Sequence, residues 1–337
     1  MRKLLVTLCV AAQVLVLGVM AGERELILAT GERIYLRTAP IDPRDPFRGD
    51  FVRLRYDISV VAPAQMRGSL AEHTKKKGYP VYAKLKMGAG DLYSHDYLTD
   101  ENPGEDIFLR GRLRYGWRPT GGGNAVGVNY GIEQLFVEQG SGRAIEQRRG
   151  TRNGLQVPME VEVAVSSGGT PVIRGFRWSR LGMSLKMLRF HRRDRNVKLD
   201  DVTEPLSPKL EITLQNVSDA PLMIADPGNH CGFRLQGTPR VSKQYSPVYR
   251  GCQDVHRFGD GLITLAPGEA YTAVLDLSEP RWHVEVDGKS GEMGRYANND
   301  RFRIVYQGAL SDLSATDDRI WKGELPSSAF TAFRIVD

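Results

Sequence analysis

The sequence is poor in cysteine, has no second long apolar run, and lacks the spaced residue sets from which catalysis is usually read. It carries three cysteines in 337 residues. That excludes a disulfide-dense miniature scaffold and clustered thiolate metal sites. After Leu4–Met20 no apolar stretch approaches membrane-spanning length, so the chain beyond it is expected to be a soluble body. His73, His95 and His283 stand without HExxH spacing, and no GxSxG elbow, zinc-finger spacing or paired catalytic aspartate pattern occurs. Thr120-Gly121-Gly122-Gly123-Asn124 lacks the lysine and hydroxyl residue of a phosphate-binding loop and reads as a turn before a strand. Repeats of fixed period and low-complexity tracts are also missing. Sustained helical periodicity is absent, while the 36 glycines and 18 prolines favour strands and turns. A hydrophobic content of 41% is enough for packed cores, which excludes a disordered chain.

What is present begins at the amino terminus. Arg2 and Lys3 precede the uncharged run Leu4–Met20, and the first acidic residue is Glu23. A basic start followed by an apolar stretch is what export requires, because the charge stays inside while the apolar stretch enters the bilayer. Val19-Met20-Ala21 permits cleavage after Ala21. The run is also just long enough to remain as an anchor, so cleaved signal and retained anchor both stay open beside a buried core helix. Cys9 lies inside the run and is a poor lipidation site after Val6-Thr7-Leu8. That leaves Cys231 and Cys252, which read as a disulfide in an oxidising compartment. With His230 and His256 nearby, tetrahedral metal binding is the competing use of the pair.

The net charge of +6 is concentrated. Between Arg174 and Lys198 there are nine basic residues and one acidic, Asp194, so this segment carries +8 and the remainder is close to −2. For an exported chain the matching anionic partners are lipid headgroups or envelope polymers, and nucleic acid is not expected. A solvated ribbon between domains is the simpler reading.

Strand patterns fill the body. Val52, Leu54, Tyr56 and Ile58 alternate with Arg53, Arg55 and Asp57. Val81 to Met87, Met159 to Val165, Leu210 to Leu214, Tyr271 to Leu277 and Phe302 to Tyr306 behave likewise, each predicting a strand with one wet face. Glu25 to Thr38 reads as two short apolar stretches around a turn at Thr30-Gly31-Glu32. Leu181 to Phe190 fits either an amphipathic helix or a strand opening a second domain, and its alternation of Met183, Leu185 and Met187 favours the strand. The expected class is all-β and mainly antiparallel, organised as an amino-terminal segment 1–22, a β domain 23–182 and a β-sandwich 183–337.

Gly49-Asp50-Phe51-Val52-Arg53-Leu54-Arg55-Tyr56 resembles the signature of the GDYXXLXY family of envelope proteins, with Phe51 where the pattern has tyrosine. The proline-rich stretch Pro40 to Arg48, the run Tyr130-Gly131-Ile132-Glu133-Gln134-Leu135-Phe136-Val137-Glu138 and the strand Val161 to Val165 support the resemblance, which spans about 23–182. It implies an amino-terminal membrane anchor, which favours retention of Leu4–Met20. It also implies an extracytoplasmic β-rich domain and association with polytopic membrane proteins. It supplies no catalytic residues. The remainder resembles an immunoglobulin-like β-sandwich.

Two candidate sites follow. Asp42, Arg44, Asp45, Arg48 and Asp50 lie on a proline-stiffened loop, suited to binding because little entropy is lost on ordering it, with Glu133 as an additional member. The same charges can instead neutralise one another and brace the turn into the strand at Gly49. The second is the Cys231–Cys252 pair. The leading expectation is a non-enzymatic, tethered binding or assembly protein without a cofactor. The alternative is a hydrolase or metal-dependent enzyme using Asp42, Asp45, Asp50 and Glu133 as acid, base or hard-metal ligands.

Overall fold

The computed structural model describes residues 2–39, 51–104, 106–114, 125–139, 141–150, 154–190, 206–226, 230–238, 246–247, 261–286, 288–296, 299–308 and 317–336. Arg2–Thr30 is one helix of 29 residues, apolar enough over Lys3–Thr30 to cross a membrane, with the side chains of its apolar run from Leu4 to Met20 exposed. Its length and composition are those of a signal or membrane anchor.

The helix does not stop where the apolar run ends. The turn expected at Thr30-Gly31-Glu32 is correct in place, but Glu25–Thr30 is helix and not strand. Glu23 to Thr30 consists largely of good helix formers, and extending an existing helix costs far less than nucleating a new element. Tertiary contacts fix the result. Ile27 is buried with Ala164 and Val172, and Leu28 packs beside them. The Arg174 guanidinium donates to the Leu28 carbonyl at 2.7 Å, placing a cation on the negative end of the helix dipole. The Gly31 amide closes the last turn on the Ile27 carbonyl at 2.8 Å.

The first set of described strands is β1 (Glu32–Ala39), β2 (Phe51–Arg53), β3 (Arg55–Tyr56), β4 (Val60–Val61), β5 (Pro80–Met87), β6 (Tyr93–Thr99), β7 (Phe108–Leu113), β8 (Val126–Asn129), β9 (Gln134–Phe136), β10 (Met159–Val165) and β11 (Pro171–Trp178). They form sheets ordered β11-β10-β1-β3 and β4-β8-β7-β5-β6, and the two-stranded ribbon β2-β9. Ile34 opposes Val163 and Leu36 opposes Val161. These residues share one core with Val81, Ala83 and Leu85. Each such valine, leucine or isoleucine contributes about 1.5–3 kcal/mol by leaving water.

Three details depart from the alternating patterns. Val52, Leu54, Tyr56 and Ile58 are all buried as expected, but the strand breaks at Leu54 and ends in a 3-10 turn at Asp57–Ser59. Met87, patterned as inward, is 68% exposed at the end of β5. Glu160, patterned as wet, is buried, because Arg177 on β11 covers it with an ion pair at 2.7 Å.

The second set is β12 (Leu181–Arg189), β13 (Lys209–Asn216), β14 (Leu222–Ala225), β15 (Phe233–Gly237), β16 (Ser246–Pro247), β17 (Leu262–Leu265), β18 (Ala270–Asp276), β19 (Val284–Val286), β20 (Lys289–Gly291), β21 (Phe302–Gln307), β22 (Glu324–Pro326), β23 (Ala329–Phe330) and β24 (Ile335–Val336). The sheet β12-β13-β18 and the sheet β15-β21-β23-β24 supply a second core, in which Leu210, Ile212 and Leu214 join Phe302, Ile304 and Tyr306. Leu181–Arg189 is thus a strand. The strands named here pair antiparallel, and the molecule is mostly β with one amino-terminal apolar helix.

The two cores meet across short contacts. Gln156 and Met183 exchange backbone hydrogen bonds at 2.8 and 2.9 Å. Asp57 and Arg303 lie 4.0 Å apart, and Arg180 donates to the Asp318 carbonyl at 3.1 Å.

Candidate functional site

The signature strand and the run Tyr130–Glu138, 74 residues further along from Tyr56 to Tyr130, fold against each other. Phe51 opposes Phe136, Val52 opposes Leu135 and Arg53 opposes Gln134. The Leu54 amide then donates to the Glu133 carbonyl at 2.8 Å, which turns the chain and creates the break between β2 and β3. Two tyrosines fasten this junction. The Tyr56 hydroxyl donates to the Ile132 carbonyl at 2.7 Å, and the Tyr130 hydroxyl donates to the Ile58 carbonyl at 2.9 Å. Both rings are buried, and burial followed by the nearby Glu133 carboxylate drives both phenols well above their ordinary pKa. They remain neutral donors throughout the physiological range.

Glu133 belongs to this junction. Its carboxylate accepts from the Tyr130 amide and, at 3.0 Å, from the Gly131 amide, where Gly131 takes a positive φ of 85°. A carboxylate held on two backbone donors braces a turn. Residues 40–50, with the candidates Asp42, Arg44, Asp45, Arg48, Gly49 and Asp50, lie outside the described residues. The same holds for Thr120–Asn124 and for Cys252 and His256.

Beside the signature, Arg55 is held below the ordinary guanidinium range, mainly by burial and then by the neighbouring Arg114, with Asp57 opposing. The long basic segment behaves differently. Arg174 pairs with Glu162, Arg177 with Glu160, Lys186 with Glu211 and Arg189 with Asp276. Each of these four cations thus has a carboxylate partner within the chain. Arg192, Arg193, Arg195 and Lys198 lie outside the described residues.

A third cluster was not anticipated from the sequence. Asp226, with a side chain 1% exposed, accepts from His230 Nδ1 at 2.7 Å and from the Tyr271 hydroxyl on the same oxygen. Its other oxygen is buried without a partner. His230 adopts a positive φ of 54°, which folds it back towards Asp226. The turn-forming composition Asp226-Pro227-Gly228-Asn229 was the available signal for that return. The pair orients one imidazole, and it also ties three segments of the second core together. His230 is therefore committed to Asp226. Cys231 is buried, whereas Cys9 is an exposed free cysteine. Among the described residues no group of three or more His, Cys, Asp or Glu is placed to hold a metal.

The family model described as GDYXXLXY protein matches residues 13–176. The match takes in the second half of the amino-terminal helix and the first core, and ends within β11. No curated protein and no solved structure matches the chain.

Proposed function

We propose that the protein is a non-enzymatic, extracytoplasmic binding or assembly protein of the cell envelope, tethered by its amino-terminal helix and acting on a membrane protein or an anionic envelope component. The observation that carries this reading is the seating of Ile27 and Leu28 on the first core, capped by Arg174. The helix runs unbroken from Arg2 through Ala21 to this seat, so in the retained form the apolar run is joined directly to the body, whereas cleavage after Ala21 would leave Ile27 and Leu28 in place on the sheet. The second core is read as an immunoglobulin-like sandwich, and Cys231 as half of a disulfide with Cys252, which suits an oxidising compartment.

The enzymatic alternative gains nothing from Glu133, whose two oxygens are spent on the Tyr130 and Gly131 amides.

Two measurements test the proposal. Intact mass of the mature protein distinguishes a retained helix from cleavage after Ala21. Photo-crosslinking from the first core in native membranes, followed by purification, should recover the same membrane protein or envelope polymer reproducibly. Recovery of the mature chain in the cytoplasmic fraction, without crosslinked species, would overturn it.

A further inference from the structure

We propose that the outer edge of β12 is the docking site for an extended peptide segment of a partner protein, with apolar side chains alternating with acidic ones. This rests on the binding role put forward above and assigns it a surface.

The backbone sets the geometry. Met183 exchanges both of its hydrogen bonds with Gln156, so its N–H and C=O face away from β13. Strand groups alternate sides with a period of two, so those of Leu185 and Met187 face outward as well. β12 is terminal in the sheet β12-β13-β18, and beyond Gln156 no described residue pairs with that edge. Four consecutive backbone groups, two donors and two acceptors, are thus offered in ladder geometry. Another peptide backbone is the chemistry that satisfies all four at this spacing, which a headgroup or a sugar does not.

The side chains set the specificity. An open groove of about 570 Å³ runs beside the edge, with Leu155, Phe190, Phe333 and Ile335 among its walls. Phe190 is 54% exposed and Leu188 43% exposed, an apolar surface that edge strands normally avoid. Lys186 and Glu211 beside the groove are matched to each other at 3.7 Å, which leaves the Arg334 guanidinium as the charge offered along its rim. The rim therefore favours acidic residues between the apolar ones.

A second copy of the chain fits less well. Antiparallel self-pairing that uses both Leu185 and Met187 sets Lys186 directly opposite the other copy's Lys186, and like charges facing across a ladder are destabilising.

The test uses the full chain in detergent micelles and a blocked, fluorescein-labelled heptapeptide of alternating valine and glutamate, read by anisotropy. Met187→Pro removes one outward donor while leaving the ladder to β13 intact, and edge positions accept proline. It is expected to weaken binding by about tenfold or more. Arg334→Glu, at an exposed position beside the groove, is expected to weaken the valine–glutamate peptide and to favour a valine–lysine peptide. Unchanged binding to a Met187→Pro protein with the parent melting curve would overturn the proposal, as would failure of the parent chain to bind. A concentration-dependent dimer abolished by Met187→Pro would overturn it in favour of self-association. Crosslinking to a partner through the first core alone, with no peptide binding at β12, would remove this site and leave the tethered binding role standing.

Discussion

Tyr56 and Tyr130 each reach across the junction of the signature strand to hold the other's neighbouring segment, through the carbonyls of Ile132 and Ile58. Two buried hydroxyls therefore reinforce the backbone pairing between the signature strand and the run from Tyr130 to Glu138. Tyr56→Phe and Tyr130→Phe each leave one buried carbonyl without its donor, at about 1–3 kcal/mol. Because both bonds fasten one junction, the double variant should lose less than the sum of the single losses. Urea melts followed by tryptophan fluorescence measure this, and single losses below about 0.5 kcal/mol would contradict the assignment.

The seat of the amino-terminal helix yields a second prediction. A Cβ at Gly31 would stand 2.6 Å from the Ile27 carbonyl oxygen and 3.0 Å from that of Val165, both backbone atoms. Gly31→Ala should push the last helical turn off the sheet, and Arg174→Ala should uncap it. Spin labels on the helix and on β11 report the change as a broadened distance distribution. A distribution as narrow as the parent's in both variants would show that these contacts do not hold the helix.

His95 on β6 makes stability depend on pH. Both ring nitrogens are buried without a hydrogen-bond partner, and burial lowers the imidazole pKa to about 4, with Asp96 opposing and Lys86 reinforcing the shift. Between that value and the ordinary 6.5 the unfolded chain binds the extra proton. Stability is therefore whole above about pH 6.5 and falls by about 3 kcal/mol as pH drops towards 4. His95→Phe should flatten that limb of the pH–stability curve. An unchanged limb would assign the acid sensitivity elsewhere.

Thiol counting addresses the cysteines. Of the three in the chain, one, Cys9, should react in denaturant without reductant, and all three after reduction. Reduction should cost about 3 kcal/mol of stability for a loop of this length. Three reactive thiols before reduction would remove the proposed Cys231–Cys252 bond.

Much of the fold was legible because period-two alternation reports a buried face directly. Leu210, Ile212 and Leu214, and likewise Phe302, Ile304 and Tyr306, are inward as their spacing predicts. Alternation does not say whether the second face is also covered. Glu160 therefore reads as wet until Arg177, on the next strand, is laid across it. The helix beyond Ala21 was missed because its reason is tertiary, a seat formed by Ala164 and Val172 more than 130 residues away. At the candidate site, the two signature stretches were visible singly. Their pairing was not, since an antiparallel register between distant segments leaves no local mark. Glu133 was read for its charge, and its role follows from the two amides it holds.

A helix whose last turn is fixed to a sheet cannot spin about its own axis without carrying that sheet along. In the anchored form, Ala21 lies about 14 Å of helix from Thr30, which sets the height of the body above the bilayer. The helical phase between Ala21 and Ile27 sets its compass bearing. One inserted residue there would turn the β12 edge by about 100° relative to any membrane protein gripping the apolar helix. Torque applied to the helix of such an anchored form would likewise be carried to the surface of the body through the seat at Ile27.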